Sequence, residues 1–89
     1  MRAIVTVTGK DKTGIIAGVS SVLSEMGVNI LDISQTVLQD YFAMIMLVDL
    51  DGCSISFASL GDMLEELGRG MCMDIRIMRE EIFDAMHRI

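Results

Sequence analysis

The chain has 89 residues, with 13 Asp and Glu against 7 Lys and Arg and a formal charge of −6; this fits one domain at most, because independent domains usually run to roughly 100–150 residues. The acidic balance argues against direct nucleic-acid binding, which needs clustered Lys and Arg, and Thr13–Ser24, the longest uncharged stretch, falls short of the about 20 mainly apolar residues of a membrane span. Hydrophobic residues make up 52% and mean hydropathy is +0.52, more apolar surface than so small a domain readily encloses, which points to a homodimer or higher homo-oligomer.

Residues 2–8 (RAIVTVT) are rich in β-branched types and predict a strand. After the loop Gly9–Gly14, the apolar positions Ile15, Ile16, Val19, Val22, Leu23 and Met26 recur at helical spacing. Asp11 or Thr13 is placed to cap that helix, and Gly27 to close it. Residues 28–39 (VNILDISQTVLQ) predict a long second strand, Asp40 and Tyr41 a tight turn, and residues 42–50 (FAMIMLVDL) the most apolar strand. Ser54 or Ser56 is a fitting N-cap for a helix with Phe57, Leu60, Leu64 and Leu67 on one face, ended by Gly68 and Gly70. Residues 71–78 (MCMDIRIM) predict a fourth strand, and residues 79–89 an amphipathic helix with Ile82, Phe83, Met86 and Ile89 on one side.

Two βαβ units with right-handed crossovers give an α+β fold: a ferredoxin-like βαββαβ sandwich, with a four-stranded antiparallel sheet, two helices on one face and a short C-terminal helix. The expected single domain spans 1–89, with its core at 2–78. Helix ends repeat between the halves, Glu25-Met26-Gly27 and Glu66-Leu67-Gly68 each preceding a strand. The third strand is apolar on both sides, with Phe42, Met44, Met46 and Val48 opposite Ala43, Ile45 and Leu47. A sheet with one wet face would alternate, so the helix-free face needs a cover, either a partner chain or the C-terminal helix. Gly14, Ala17, Gly18 and Ser21 form a small uncharged strip on the first helix. It permits tight packing inside the domain or a helix-to-helix contact between copies.

Cys53 and Cys72 lie far apart with no CxxC, and His87 is the only histidine, so neither a disulfide scaffold nor a metal site is expected, and two buried thiols in a cytoplasmic protein are. Met1 leads straight into strand-like sequence, so no signal peptide is expected. An acylphosphatase-like enzyme would need an Arg in the loop, which has Lys10 and Lys12 instead. No nucleophile and base stand at recognisable spacing, so no enzyme and no cofactor are expected. An RNA-recognition domain would need aromatic residues on its central strands and a basic surface; only Tyr41 and Phe42 could stack.

The stretch Val5–Ile30 contains V-T-G-K-D-K-T-G-I-I-A-G-V and E-M-G-V-N-I. It resembles the ACT domain, a regulatory module that binds amino acids in many metabolic enzymes. The F-A-M-I-M-L-V strand is similar to the ACT domains of the glycine cleavage system transcriptional repressor, and the ending R-E-E-I-F-D-A-M-H-R-I resembles small stand-alone ACT proteins of unassigned function. The resemblance implies ligand-binding positions at Asp11, Thr13, Gly14, Ile15, Ile16, Asn29 and Ile30, and a ligand held between this loop of one subunit and the adjoining edge of another.

Physical chemistry supplies a mechanism for that implication. The N–H groups of Gly14, Ile15 and Ile16 at a helix N-terminus favour a carboxylate. Gly14 permits close approach, Asn29 offers a donor and an acceptor, and Asp11 would pair with an α-ammonium. Several amino-acid-binding members have Asn where this chain has Asp11, which would attract an amine and repel a nearby carboxylate. Ordinary structural roles compete: Asp11 as a cap, Gly14 as a turn residue, Asn29 as a partner for backbone groups. The expectation is a cytoplasmic, non-enzymatic protein that binds a small amino acid or related metabolite and signals through a protein partner. The alternative is a ligand-free dimerisation or adaptor module docking on a metabolic enzyme or transcriptional regulator.

Overall fold

The structure is a computed structural model that describes residues 1–10 and 14–86. Its elements follow as β1 (Arg2–Lys10), α1 (Ile15–Glu25), β2 (Asn29–Leu38), β3 (Tyr41–Asp49), α2 (Phe57–Met71), β4 (Met73–Arg79) and α3 (Glu80–Met86). The strands form one antiparallel sheet in the order β2-β3-β1-β4, the ferredoxin-like arrangement that two right-handed βαβ units require. β2 and β4 are its two edges.

Alternation along the strands decides which face is dry. Ala3, Val5 and Val7 of β1, Phe42, Met44, Met46 and Val48 of β3, and Met73 and Ile75 of β4 are buried against Ile15, Val19 and Leu23 of α1 and Leu60 and Leu64 of α2. The opposite face carries Thr6, Thr8, Ala43 and Ile45, and Ile45 is 46% exposed. Ile4 lies on that face yet is buried, because α3 packs back onto β1 and β4 and brings Phe83 beside Ile4 and Met78. Glu80 of α3 pairs with Arg2 at 2.7 Å. The C-terminal helix therefore covers part of the face that the apolar third strand left to be explained, and Ile45 stays outside the cover.

Several boundaries differ from the sequence expectation. α1 has Gly14, which has no side chain to cap with, at its N-cap position (φ 88), and the expected caps Asp11 and Thr13 lie outside the described residues. Its other end is as expected: Gly27 (φ 77) donates to Ser24 at 3.1 Å and Val28 to Leu23 at 2.9 Å, a Schellman pair of bonds that satisfies the last carbonyls. The β2–β3 turn is Gln39–Asp40, with Gln39 at φ 56 and Tyr41 already paired to Leu38. α2 does not stop at Gly68 or Gly70 but runs to Met71, and Cys72 (φ 57) makes the left-handed cap. Gly68 is buried because a Cβ there would stand 2.6 Å from the Met73 carbonyl oxygen; it lets α2 lie close on β4 and does not end the helix. Capping also exposes Cys72, and Cys53 is half-buried, so neither thiol is buried as expected.

Ser56 caps the other end of α2, its Oγ accepting from the Ser59 N–H at 3.1 Å. Ser56→Ala is expected to cost about 1 kcal/mol, read as a lower urea midpoint at unchanged slope. The Met1 ammonium pairs with Asp51, and that hydrogen bond holds its pKa above the usual 8.0.

Candidate functional site

The expected site residues fall into two groups. Gly14, Ile15 and Ile16 open α1. Gly14 is exposed, with nothing among the described residues within 4 Å of where a Cβ would stand. No acidic side chain occupies the first turn of α1, so the N–H groups there have no carboxylate partner among the described residues. Ile15 is buried in the core and offers only its backbone, whereas Ile16 is 39% exposed. Asp11 and Thr13 lie outside the described residues.

The second group is Asn29, exposed, and Ile30, half-buried, at the start of β2. The register fixes how far apart the groups are. Asn29 stands beside Asp49, which stands beside Arg2, the first residue of β1; Lys10, the last, stands beside Tyr41, which stands beside Leu38. Eight steps along β1 separate these rows, roughly 27 Å at about 3.4 Å per residue. Gly14 follows the end of β1, and Asn29 lies at its beginning. One copy of the chain therefore cannot bring the two groups onto one small molecule.

The exposed apolar character of the strand between them is the feature that sequence reading missed. Every residue of β2 except Ile30 is exposed. Leu31, Ile33, Val37 and Leu38 are all large apolar side chains in solvent, and Leu38 is 72% exposed. Asp32 is the one charged residue in the ten, and its Oδ1 accepts from the neighbouring Ile33 N–H at 2.9 Å beside an irregular step between Ile30 and Asp32. An uncharged, apolar edge strand is open to pairing with another chain. The sparse charge was the available signal. At the Leu38 end an apolar hollow of about 290 Å³ lies among Thr8, Thr36, Leu38, Tyr41 and Phe42, at the same end of the sheet as Gly14.

The small strip of α1 divides. Gly18 faces α2, with the Met71 sulfur 3.5 Å from its would-be Cβ, while Ala17 and Ser21 are exposed. Among the described residues no group of three His, Cys, Asp or Glu could hold a metal ion, and no helix is long and apolar enough to cross a membrane.

Comparison with known proteins agrees with this architecture. The pattern that defines the ACT domain matches residues 2–78. A UPF0237 protein of Clostridium acetobutylicum is 55% identical over 89 residues, covering 100% of both chains. An ACT domain protein from Streptococcus pneumoniae superposes with a TM-score of 0.82 at 47% identity, covering 98% of each chain. A putative glycine cleavage system transcriptional repressor shares the fold, with a TM-score of 0.71 at 21% identity over 86% of this chain and 44% of that one. The βαββαβ order, the glycine-opened first helix and a family match across nearly all of the sheet lead to one assignment: the chain belongs to the ACT domain family.

Proposed function

We propose that this is a non-enzymatic regulatory ACT domain, which binds a small amino acid or related metabolite at the junction of two copies and passes that state to a protein partner. The separation of Gly14 from Asn29 by the length of β1 carries this reading. Two β2 edges paired antiparallel about a two-fold axis would set the Asn29 of each copy beside the Leu38 end of the other, near its Gly14. The ligand carboxylate would take the N–H groups at the start of α1, and the partner's Asn29 would hold its polar end. Binding and assembly are then one equilibrium. The repressor that shares the fold fits a domain whose output is regulation.

The test is thermal stability against a panel of amino acids. A ligand at about 100 times its Kd stabilises the native state by about 2.7 kcal/mol, a shift on the order of 10 °C for a domain of this size. Asn29→Ala and Gly14→Ala should each abolish the shift. Mixed in equal amounts, the two variants should recover about a quarter of the binding sites, because each mixed dimer holds one site built from two intact halves. Recovery of none would place Gly14 and Asn29 in separate roles. A panel without any shift would favour the ligand-free adaptor.

A further inference from the structure

The two edges of the sheet are chemically unlike, and the second edge has its own groove. β4 hydrogen-bonds to β1 alone among the described residues, so its outer backbone edge is unpaired. Above that edge α2 presents a stripe of Ala58, Gly61, Asp62 and Glu65, spaced so that all four point the same way. With residues 74–78 of β4 they bound a groove of about 510 Å³. The groove exists because Ala58 and Gly61 are small: a Cβ on Gly61 would only just touch Ile77, at 3.5 Å.

Its charge is negative. Arg76, the one cation lining it, is held by Asp74 through its Nε at 3.1 and 3.2 Å. Glu65 is 3.4 Å from Arg69. Asp62 has no ion pair among the described residues. A second copy is a poor occupant, since pairing two β4 edges would set the Asp62 and Glu65 stripes of both α2 helices against each other. β2, with a single Asp and four exposed aliphatic side chains, carries no such repulsion. The charge pattern therefore sorts the edges, β2 for another copy and β4 for something basic.

We infer that the β4 edge, roofed by the Ala58–Glu65 stripe of α2, is the docking site for an extended basic segment of a partner protein, which adds to the sheet as a fifth strand. Backbone hydrogen bonds to residues 74–78 supply affinity, and alternate side chains of the segment turn toward α2, where lysine or arginine meets Asp62 and Glu65. This surface is independent of the amino-acid reading, since it shares no residue with Gly14 or Asn29.

The probe is an end-blocked hexapeptide of alternating lysine and valine, titrated into the full chain and followed by amide chemical shifts and fluorescence anisotropy. The expected result is shifts concentrated at residues 74–78 and along the α2 stripe, with no binding by the glutamate–valine counterpart. Gly61→Gln projects a side chain into the groove while improving helix propensity, so it should fold and weaken binding by about tenfold or more. The double change Asp62→Lys and Glu65→Lys should weaken it similarly and admit the glutamate peptide. Shifts at residues 29–38 in place of 74–78, affinity indifferent to Gly61→Gln, or no binding at millimolar peptide would each overturn the proposal.

Discussion

Gly27→Ala is expected to destabilise the domain by about 3 kcal/mol, the sum of a strained left-handed backbone and a forced displacement. Gly27 has φ 77, and a Cβ there would sit 2.4 Å from the Gly52 carbonyl oxygen. That neighbour is main chain, so relief requires moving either the α1–β2 connection or the turn after β3. The connection also carries the paired bonds from Gly27 to Ser24 and from Val28 to Leu23, and Ser54 N–H reaches across it to the Met26 carbonyl at 2.9 Å. A shift would therefore propagate to Asn29, two residues on. The control is Gly70→Ala, where nothing lies within 4 Å and α2 continues through the position; it is expected to stabilise by about 0.8 kcal/mol. Urea unfolding of both variants checks the pair, and equal effects at the two glycines would contradict the close approach of Gly27 to Gly52.

Those two glycines also show what sequence reading can and cannot reach. Gly27 was legible because it follows a run with helical spacing and precedes a β-branched strand, a pattern in which the local chain alone demands a left-handed residue. Gly68 and Gly70 carry the same local signal, but α2 continues past them. At Gly68 the reason is tertiary, since the glycine admits the Met73 carbonyl, and no local pattern reports that contact. The left-handed cap then falls on Cys72, a residue type with no preference for it. Strand order and the core face of β3 were legible for the converse reason: Phe42, Met44, Met46 and Val48 alternate with period two, and burial follows the alternation.

The candidate positions could be named from the sequence one by one, but not how far apart they stand in one chain. Helix N-terminus chemistry at Gly14 and side-chain chemistry at Asn29 are local properties, readable from a motif. Their separation by the length of a strand is a property of the register. The apolar surplus was readable from composition and located on β3 by its two-sided pattern. In the structure β3 is interior, flanked by β2 and β1, and much of the exposed apolar surface is on β2. Edge position is a matter of topology, and the shift from β3 to β2 is what directs the assembly argument to a strand edge instead of a sheet face.

Val37→Lys should therefore convert an assembled protein to monomers. Val37 is 54% exposed in the single chain, so the exchange removes little core contact and the monomer should keep its fold. Across a two-fold junction of β2 edges it places two ammonium groups in an interface that otherwise has Asp32 as its only charge on each strand. Burying them unpaired should weaken association by about 100-fold or more. Light scattering at micromolar concentration should then give about 10 kDa for the variant against about twice the 9.8 kDa chain mass for the parent. The amino-acid-induced rise in melting temperature should disappear with the dimer, because each half-site loses its partner. Asp62→Lys, on the far side of the sheet above β4, should leave both mass and ligand response unchanged. A parent chain that is already monomeric, or a Val37→Lys chain that keeps the parent's mass, would sink the shared-site reading; a monomeric variant that still responds to the ligand would confine binding to one copy and leave Asn29 without a part in it.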